Sequence, residues 1–300
     1  MNLVSHEAWL RFAIFAGALL AVGLWETLAP LRKPTVPRSV RWFSNLALAA
    51  IDTGIVRLLI PLGVVGAALF AEERGWGLFR QVDWPAWLVI VLAVVALDFV
   101  IWLQHVIFHA VPLLWRLHQV HHADLDFDAS TGVRFHPLEM LISLGVKVVA
   151  VSALGVPAVA VVIFEILLST TAMFNHANVR LPGWLDALLR LLVVTPDMHR
   201  VHHSVETRET NSNFGFNLPW WDFLFGTYRA QPDAGHEAMT IGLTAFRDPR
   251  VCWLHWMLLL PLWRRLGVQA EMAGGDPRLE PAASDASEKR CVLDASSKRR

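Results

Sequence analysis

The chain has 300 residues, 55% of them apolar and 17% charged; its mean hydropathy is +0.43. Counting glycine raises the apolar share to about 61%, against the ~45–50% of soluble domains, which excludes an ordinary soluble enzyme, a disordered chain or a disulfide-rich scaffold and points to the bilayer as solvent. The 26 basic and 26 acidic residues cancel, so nothing favours a nucleic-acid partner, and Cys252 and Cys291 form neither a metal spacing nor a disulfide framework.

The opening MNLVSHEAWLRF lacks the basic region of a signal peptide. Trp9–Leu28 is therefore expected to be a retained membrane helix, near the ~20 residues that cross the hydrocarbon. A second apolar run, Trp42–Ala71, contains Asp52 and Arg57 and is long enough to be tilted or broken, with Pro61 as the kink. A third spans Pro85–Gln104. The fourth, Leu138–Phe174, is too long for one crossing and fits a helical hairpin turning near Gly155-Val156-Pro157. Arg32, Lys33, Arg38 and Arg41 mark the loop after the first helix as cytoplasmic. Counting crossings from there puts every clustered histidine on the cytoplasmic side. Trp9, Trp42, Trp76, Trp84, Trp87, Trp102 and Trp115 fall near the expected helix ends, where indoles favour the headgroup layer. The run VCWLHWMLLLPLWRRL is expected on the membrane surface, and the polar tail from Gly274 is expected to be disordered. The fold class is all-α: an integral membrane helical bundle of about four crossing segments plus the hairpin, with a cytoplasmic helical cap.

The histidines carry the chemistry. The chain has 13, ten of them between His105 and His203. His105-Val-Ile-Phe-His109 puts two rings one helical turn apart, where both can reach one metal. His118-Gln-Val-His121-His122 holds three rings within one arc of a helix, and His199-Arg-Val-His202-His203 repeats it. At this histidine content chance supplies about 0.02 copies of His-x-x-His-His, and the chain has two. Eight neutral imidazoles packed together without a metal would leave many buried nitrogens unsatisfied. His136 and His176 stand alone; each would serve as a cap or loop residue, but both fall level with the clusters. His6, His236 and His255 are expected at the surface. Ten rings are too many for one ion and suit two ions with four or five imidazoles each. All-nitrogen ligation fits iron, copper or zinc, so the spacing indicates a dinuclear site without choosing its metal.

In this order, between membrane helices, HxxxH, HxxHH and HxxHH resemble the sterol desaturase/fatty acid hydroxylase superfamily, over roughly Asp98–Arg229. Thr131-Gly-Val-Arg-Phe-His-Pro-Leu-Glu139 is similar to the HPxE neighbourhood of that family, and Asn213–Thr227 to its N-Y/F-G…WDxxFGT ending. The resemblance implies two iron ions and O2 as cosubstrate, with two external electrons used to hydroxylate or desaturate a C–H bond of a lipid such as a fatty acyl chain or sterol. It implies His105, His109, His118, His121, His122, His136, His176, His199, His202 and His203 as metal ligands, His136 being the HPxE histidine. Residues 85–230 would be the catalytic domain, 1–84 the N-terminal membrane helices, 231–270 an amphipathic interfacial segment and 271–300 the polar tail. Metal-bound imidazoles usually donate their second N–H to a carboxylate or carbonyl, so Asp98, Glu139, Asp197 and Asn213 are candidate partners, with Asp124, Asp222 and Asn175 behind them. No flavin or nicotinamide Gly-rich motif is present, so electrons would come from a separate donor, a reductase with ferredoxin or cytochrome. The lipid would enter from the bilayer, walled by the third helix and the hairpin. SSKRR is no retention signal, which favours a bacterial inner membrane. Two other readings use the same histidines: a metal-binding or metal-transport protein without oxygenase activity, with ligands near the midplane, and a bis-histidine haem carrier.

Overall fold

A computed structural model describes residues 6–262. Among them the regular structure is helical apart from a bridge between Ser204 and Ile241. The helices are α1 (Glu7–Leu28), α2 (Arg38–Leu59), α3 (Gly63–Glu73), α4 (Ala86–Ala110), α5 (Pro112–His122), α6 (Pro137–Leu154), α7 (Ala158–Asn175), α8 (Gly183–Leu189), α9 (Pro196–His202), α10 (Thr207–Thr210), α11 (Trp220–Phe225), α12 (Gly235–Ala238) and α13 (Leu254–Leu259). Five segments are long and apolar enough to cross a membrane: α1, Arg38–Arg80, α4, α6 and α7. The chain is a multi-pass integral membrane protein.

Proline punctuates this architecture. Pro112, Pro137 and Pro196 start α5, α6 and α9, and Pro37, Pro85, Pro157, Pro182 and Pro219 immediately precede α2, α4, α7, α8 and α11. The ring fixes φ near its helical value, and its missing N–H is one that a helix start leaves unpaired anyway. Pro61 acts differently: α2 stops at Leu59 and α3 starts at Gly63, whose φ is +56°, so the second crossing is broken where the sequence predicts its kink.

The hairpin arms α6 and α7 turn at Gly155, where φ is +68°, a conformation that glycine adopts without a Cβ penalty. The turn at residues 75–80 seats directly on this tip, because a Cβ on Gly77 would lie 2.0 Å from the Gly155 nitrogen. Val64, Val65 and Ala68 of α3, Ala93, Leu97 and Ile101 of α4, Leu144 of α6, and Val161 and Phe164 of α7 form the core. Many are small, which lets helix backbones approach where lipid offers no hydrophobic drive to associate. α1 lies along α7 with only 6% of its most apolar window buried; Leu20, Leu24 and Leu28 point outward, towards lipid. Inside the bundle Glu165 of α7 is paired, as a low-dielectric medium favours: it accepts Lys147 at 2.7 Å and Arg11 at 2.6 Å.

Two expectations about tryptophan do not survive. Trp102 and Trp115 are 5% and 1% exposed. Trp102 donates to Asp222 at 3.0 Å, and Trp115 packs on the His109 ring at 4.8 Å, so both serve the protein interior rather than the headgroup layer. The described part of the 251–266 run packs on α5, with Met257 and Leu260 buried and Arg116 donating to the Pro261 carbonyl. Its remainder, and the tail from 271, lie outside the described residues.

Candidate metal centre

Four stretches of chain deliver nine histidine rings to one end of the bundle. α4 ends on His105 and His109. Val111, extended ahead of Pro112, reverses the chain into α5, which returns His118, His121 and His122 against α4. His176 follows the last turn of α7, and His199, His202 and His203 come from α9 and the residue after it. None of the nine is more than 5% exposed.

The rings sort into two groups. His105, His109, His118, His122 and His202 form one, and His121, His176, His199 and His203 the other; within each, one nitrogen per ring lies within 4.8 Å of all the others. In each His-x-x-His-His, the i,i+4 pair serves one group while the intervening histidine crosses to the other. His118 and His122 join the first group and send His121 to the second; His199 and His203 join the second and send His202 to the first. The 3.6-residue period explains the pairing: i and i+4 share a face, and the middle ring points aside. The groups abut, with the His122 and His203 rings stacked at 4.6 Å.

The inward atoms are Nε2. His105 and His118 bring theirs to 3.0 Å, and His109 and His122 to 3.2 Å. His176 Nε2 faces those of His121, His199 and His203 at 3.2, 3.1 and 3.2 Å. The outward Nδ1–H groups have acceptors at five rings: the Phe214 carbonyl for His105 (2.7 Å), Asn211 Oδ1 for His109 (3.2 Å), Glu139 Oε1 for His118 (2.7 Å), the Ser212 carbonyl for His202 (2.8 Å) and the Ala172 carbonyl for His176 (2.7 Å). A ring that donates from Nδ1 has only a lone pair at Nε2, so the His105–His118 contact sets two lone pairs against each other, and the buried His202 Nε2 has no hydrogen-bond partner among the described residues. Such a set is repulsive by itself and becomes favourable around a cation. Nitrogens about 2.0–2.1 Å from one ion lie roughly 3 Å apart, as here. The residues fit two metal ions.

Electrostatics agree. Burial pushes His118 and His176 down to about 3, and burial followed by neighbouring imidazoles holds His121, His122, His199, His202 and His203 well below 6.5. The rings are neutral at pH 7, the form that ligates metal. Aromatic side chains exclude water: Phe135 stacks on His121 at 4.5 Å, Phe127 lies 5.1 Å from His203, and Phe216 lies 5.0 Å from His105.

The other residues singled out from sequence are placed as follows. Against the expectation that His136 is a ligand, it belongs to neither group; its Nδ1 caps α6 by accepting from Leu138 N–H at 3.2 Å, and its Nε2 lies 3.3 Å from the Leu258 carbonyl. Glu139 holds His118. Asp98 accepts Trp221 Nε1 at 2.8 Å and Leu218 N–H at 3.3 Å, and touches no ligand ring. Asp197 pairs with Arg200 at 2.5 Å and sits 3.7 Å from His236. His236 is accordingly half-buried rather than at the surface, and its ring is pushed down to about 4 by burial. Asn213, at φ +53°, donates to the Met198 and Arg229 carbonyls and accepts from Arg229 N–H, each at 2.8 Å, and so fixes the loop that carries the Ser212 and Phe214 carbonyls. Asn175 donates to the Phe216 carbonyl at 2.9 Å. Asp222 accepts Phe214 N–H at 3.0 Å and Gly215 N–H at 2.8 Å, one step behind His105. Asp124 faces away from the rings: Arg41 clasps it at 2.7 and 2.8 Å and also pairs with Asp128. Burial alone would raise the Asp124 carboxyl, but Arg41 and Arg134 outweigh it and hold it below its ordinary value. Gly132 lets this loop seat on α7, since a Cβ there would lie 2.6 Å from the Ala172 carbonyl, the same oxygen that His176 uses. Asn211 and the backbone carbonyls escape sequence reading; a carbonyl has no residue signature, and Asn211 lies in no motif.

Comparison with known proteins follows the same residues. A fatty acid hydroxylase model matches residues 90–227, the stretch that carries all nine converging histidines. Over this stretch the chain is similar to the fatty acid hydroxylase family. Its curated relatives include the ornithine lipid hydroxylase OlsE of Rhizobium tropici, 27% identical over 249 residues that cover 80% of this chain and 72% of that protein. The alkylglycerol monooxygenase of Homo sapiens is 26% identical over 226 residues, 72% of this chain and 47% of the relative. The very-long-chain aldehyde decarbonylase GL1-5 of Oryza sativa subsp. indica is 25% identical over 163 residues, 51% of this chain and 25% of the relative. The chain thus spans about half or less of the latter two. No solved structure matches it.

Proposed function

We propose that this chain is a member of the sterol desaturase/fatty acid hydroxylase superfamily and a membrane-bound diiron lipid oxygenase that hydroxylates a C–H bond of a membrane lipid, using O2 and two electrons from a separate donor. The observation that carries this reading is the pair of abutting histidine groups whose Nε2 atoms converge, within a chain whose relatives are named as lipid hydroxylases and monooxygenases. His105, His109, His118, His122 and His202 hold one iron, and His121, His176, His199 and His203 the other, with His136 outside both sets. The iron pair, when bound, supplies the power to activate O2 and to remove hydrogen from an unactivated C–H bond.

The chain's own residues do the rest. Glu139, Asn211 and the Phe214, Ser212 and Ala172 carbonyls keep protons on the outward Nδ1 atoms and lone pairs on the inward Nε2 atoms. Phe127, Phe135 and Phe216 keep water from the rings, which protects a strongly oxidising centre from side reactions. α4 and the α6–α7 hairpin border the centre on the bilayer side and admit the lipid. The membrane is a bacterial inner membrane with the centre at its cytoplasmic face, the side marked by Arg32, Lys33 and Arg38. The donor is a reductase with ferredoxin or cytochrome.

The test is incubation of the purified protein with iron, a reducing system, extracted membrane lipids and ¹⁸O2, followed by mass spectrometry of the lipids. A lipid product carrying one ¹⁸O supports hydroxylation. Consumption of O2 with loss of two hydrogens and no label would mean desaturation. Metal flux across vesicles with no lipid product would make the protein a transporter and end this reading.

A further inference from the structure

α11 and the segment around α8 reverse the pattern of a water-facing surface. Asp186 and Arg190 of this segment turn inward and pair at 2.6 Å, and Asp222 of α11 is fully buried. The outward positions are Trp184 of α8 and Leu191 and Leu192 just after it, exposed by 72%, 60% and 64%, and Phe223, Leu224 and Phe225 on α11, exposed by 45%, 70% and 52%. Trp220 joins the two pieces by donating to the Leu191 carbonyl at 2.7 Å. The result is one continuous apolar face without a charge, of the kind that marks an interaction surface.

Depth identifies what covers it. α11 packs on the middle of a spanning helix: Trp221 lies 5.0 Å from Phe99, Phe225 lies 4.7 Å from Trp102, and Trp221 donates to Asp98 at 2.8 Å. α4 has 25 residues, so its axis runs about 37 Å against a hydrocarbon layer of ~30 Å. Asp98 to Trp102 begin 12 residues from its start and finish eight from its end, which places them roughly 18–24 Å in, within the layer. α11 stands beside them at the same depth, and its outward face continues the exposed Leu103 and Ile107 of α4. Backbone that does not span can sit at that depth when the protein satisfies its polar groups; here the Asp222 carbonyl accepts Thr227 N–H at 2.9 Å, and the Asp222 carboxylate takes Phe214 and Gly215 N–H.

We propose that α11 and residues 183–192 form a non-spanning wedge immersed in the hydrocarbon of the leaflet on the histidine side, with lipid acyl chains as the partner of this face. The wedge brings lipid to within one hydrogen-bonded step of the centre, because the Phe214 that Asp222 holds is the residue whose carbonyl orients His105. The inference concerns membrane placement and stands whether or not the centre is an oxygenase.

The test reconstitutes the full metal-loaded chain, with Cys291→Ser, in phosphatidylcholine–phosphatidylglycerol vesicles and places an environment-sensitive fluorophore at Leu224→Cys and at Leu192→Cys. Leu20→Cys on α1 serves as the lipid reference and Arg208→Cys as the water reference; unlabelled parent protein controls for Cys252. The expected result is blue-shifted emission at 224 and 192, lost to nitroxide lipids as strongly as at 20 and little changed by aqueous iodide. Quenching by iodide to the extent seen at 208 would overturn the proposal by placing the face in water. Quenching by neither agent would overturn it too, since the face would then be covered by protein, such as a second copy. Should Leu224→Cys fail to elute as a single species, Phe223→Cys reads the same face.

Discussion

In the five-histidine group, His105, His109, His118 and His202 each rest their outer nitrogen on an acceptor. In the four-histidine group His176 does so, while the outer nitrogens of His121, His199 and His203 have no hydrogen-bond partner among the described residues. The same motif builds both groups, and the difference lies in what surrounds them. The first is backed by α6 and the 211–214 loop, which present a carboxylate, an amide and two carbonyls. The second is backed mainly by Phe127 and Phe135. Outer partners orient a ligand and raise its basicity, so the four partnered rings of the first group would hold a metal more firmly than the second group, where, among the described residues, only His176 has such a partner; His122 in the first group also lacks one.

Ligand removal should have the largest effect and separate the groups. His109→Ala and His199→Ala each abolish turnover, but each leaves the metal of the other group measurable by elemental analysis; loss of both metals from either variant would mean that the two groups form one cooperative site. Next in size is Arg41→Met, which strands Asp124 and Asp128 behind the loop that backs the four-histidine group. Removing one partner from a buried ion pair costs about 3–5 kcal/mol, so a thermal shift in detergent should show a strong loss of stability; an unchanged melting temperature would show that the clasp is not needed. Glu139→Ala takes the acceptor from His118 and should weaken the five-histidine metal or activity by about 10–100-fold. Glu139→Gln is isosteric and keeps an acceptor oxygen but loses the charge, so it should recover only part of the loss; full recovery would mean that Glu139 acts by its shape or as a neutral acceptor. Timed chelation should strip the four-histidine group first, in two resolvable phases; simultaneous release would contradict the asymmetry. The smallest effect belongs to His136→Asn, since asparagine also caps helices and the change should cost less than ~1 kcal/mol with metal content intact.

How much of this was legible varies with the kind of signal. Helix spans, the break at Pro61 and the turn at Gly155 follow from apolar length, proline and glycine, all local properties. Convergence of His105, His109 and the two HxxHH motifs follows from helical period. Which ring crosses to which group does not, because it depends on how α5 and α9 face each other. Asp98 shares the helix of His105, yet Trp221, 123 residues later, claims it. Asp197 stands two residues before His199 but serves Arg200. Trp102 and Trp115 sit near helix ends, as headgroup-layer indoles do, and only tertiary packing shows that they are interior.

The central claim is that two adjoining histidine sets each hold an ion. Elemental analysis of the purified, iron-reconstituted chain beside His109→Ala and His199→Ala tests it most directly. The account predicts two irons per wild-type chain and one in each variant; a wild-type chain that binds one ion or none, or a variant that keeps both, would contradict it.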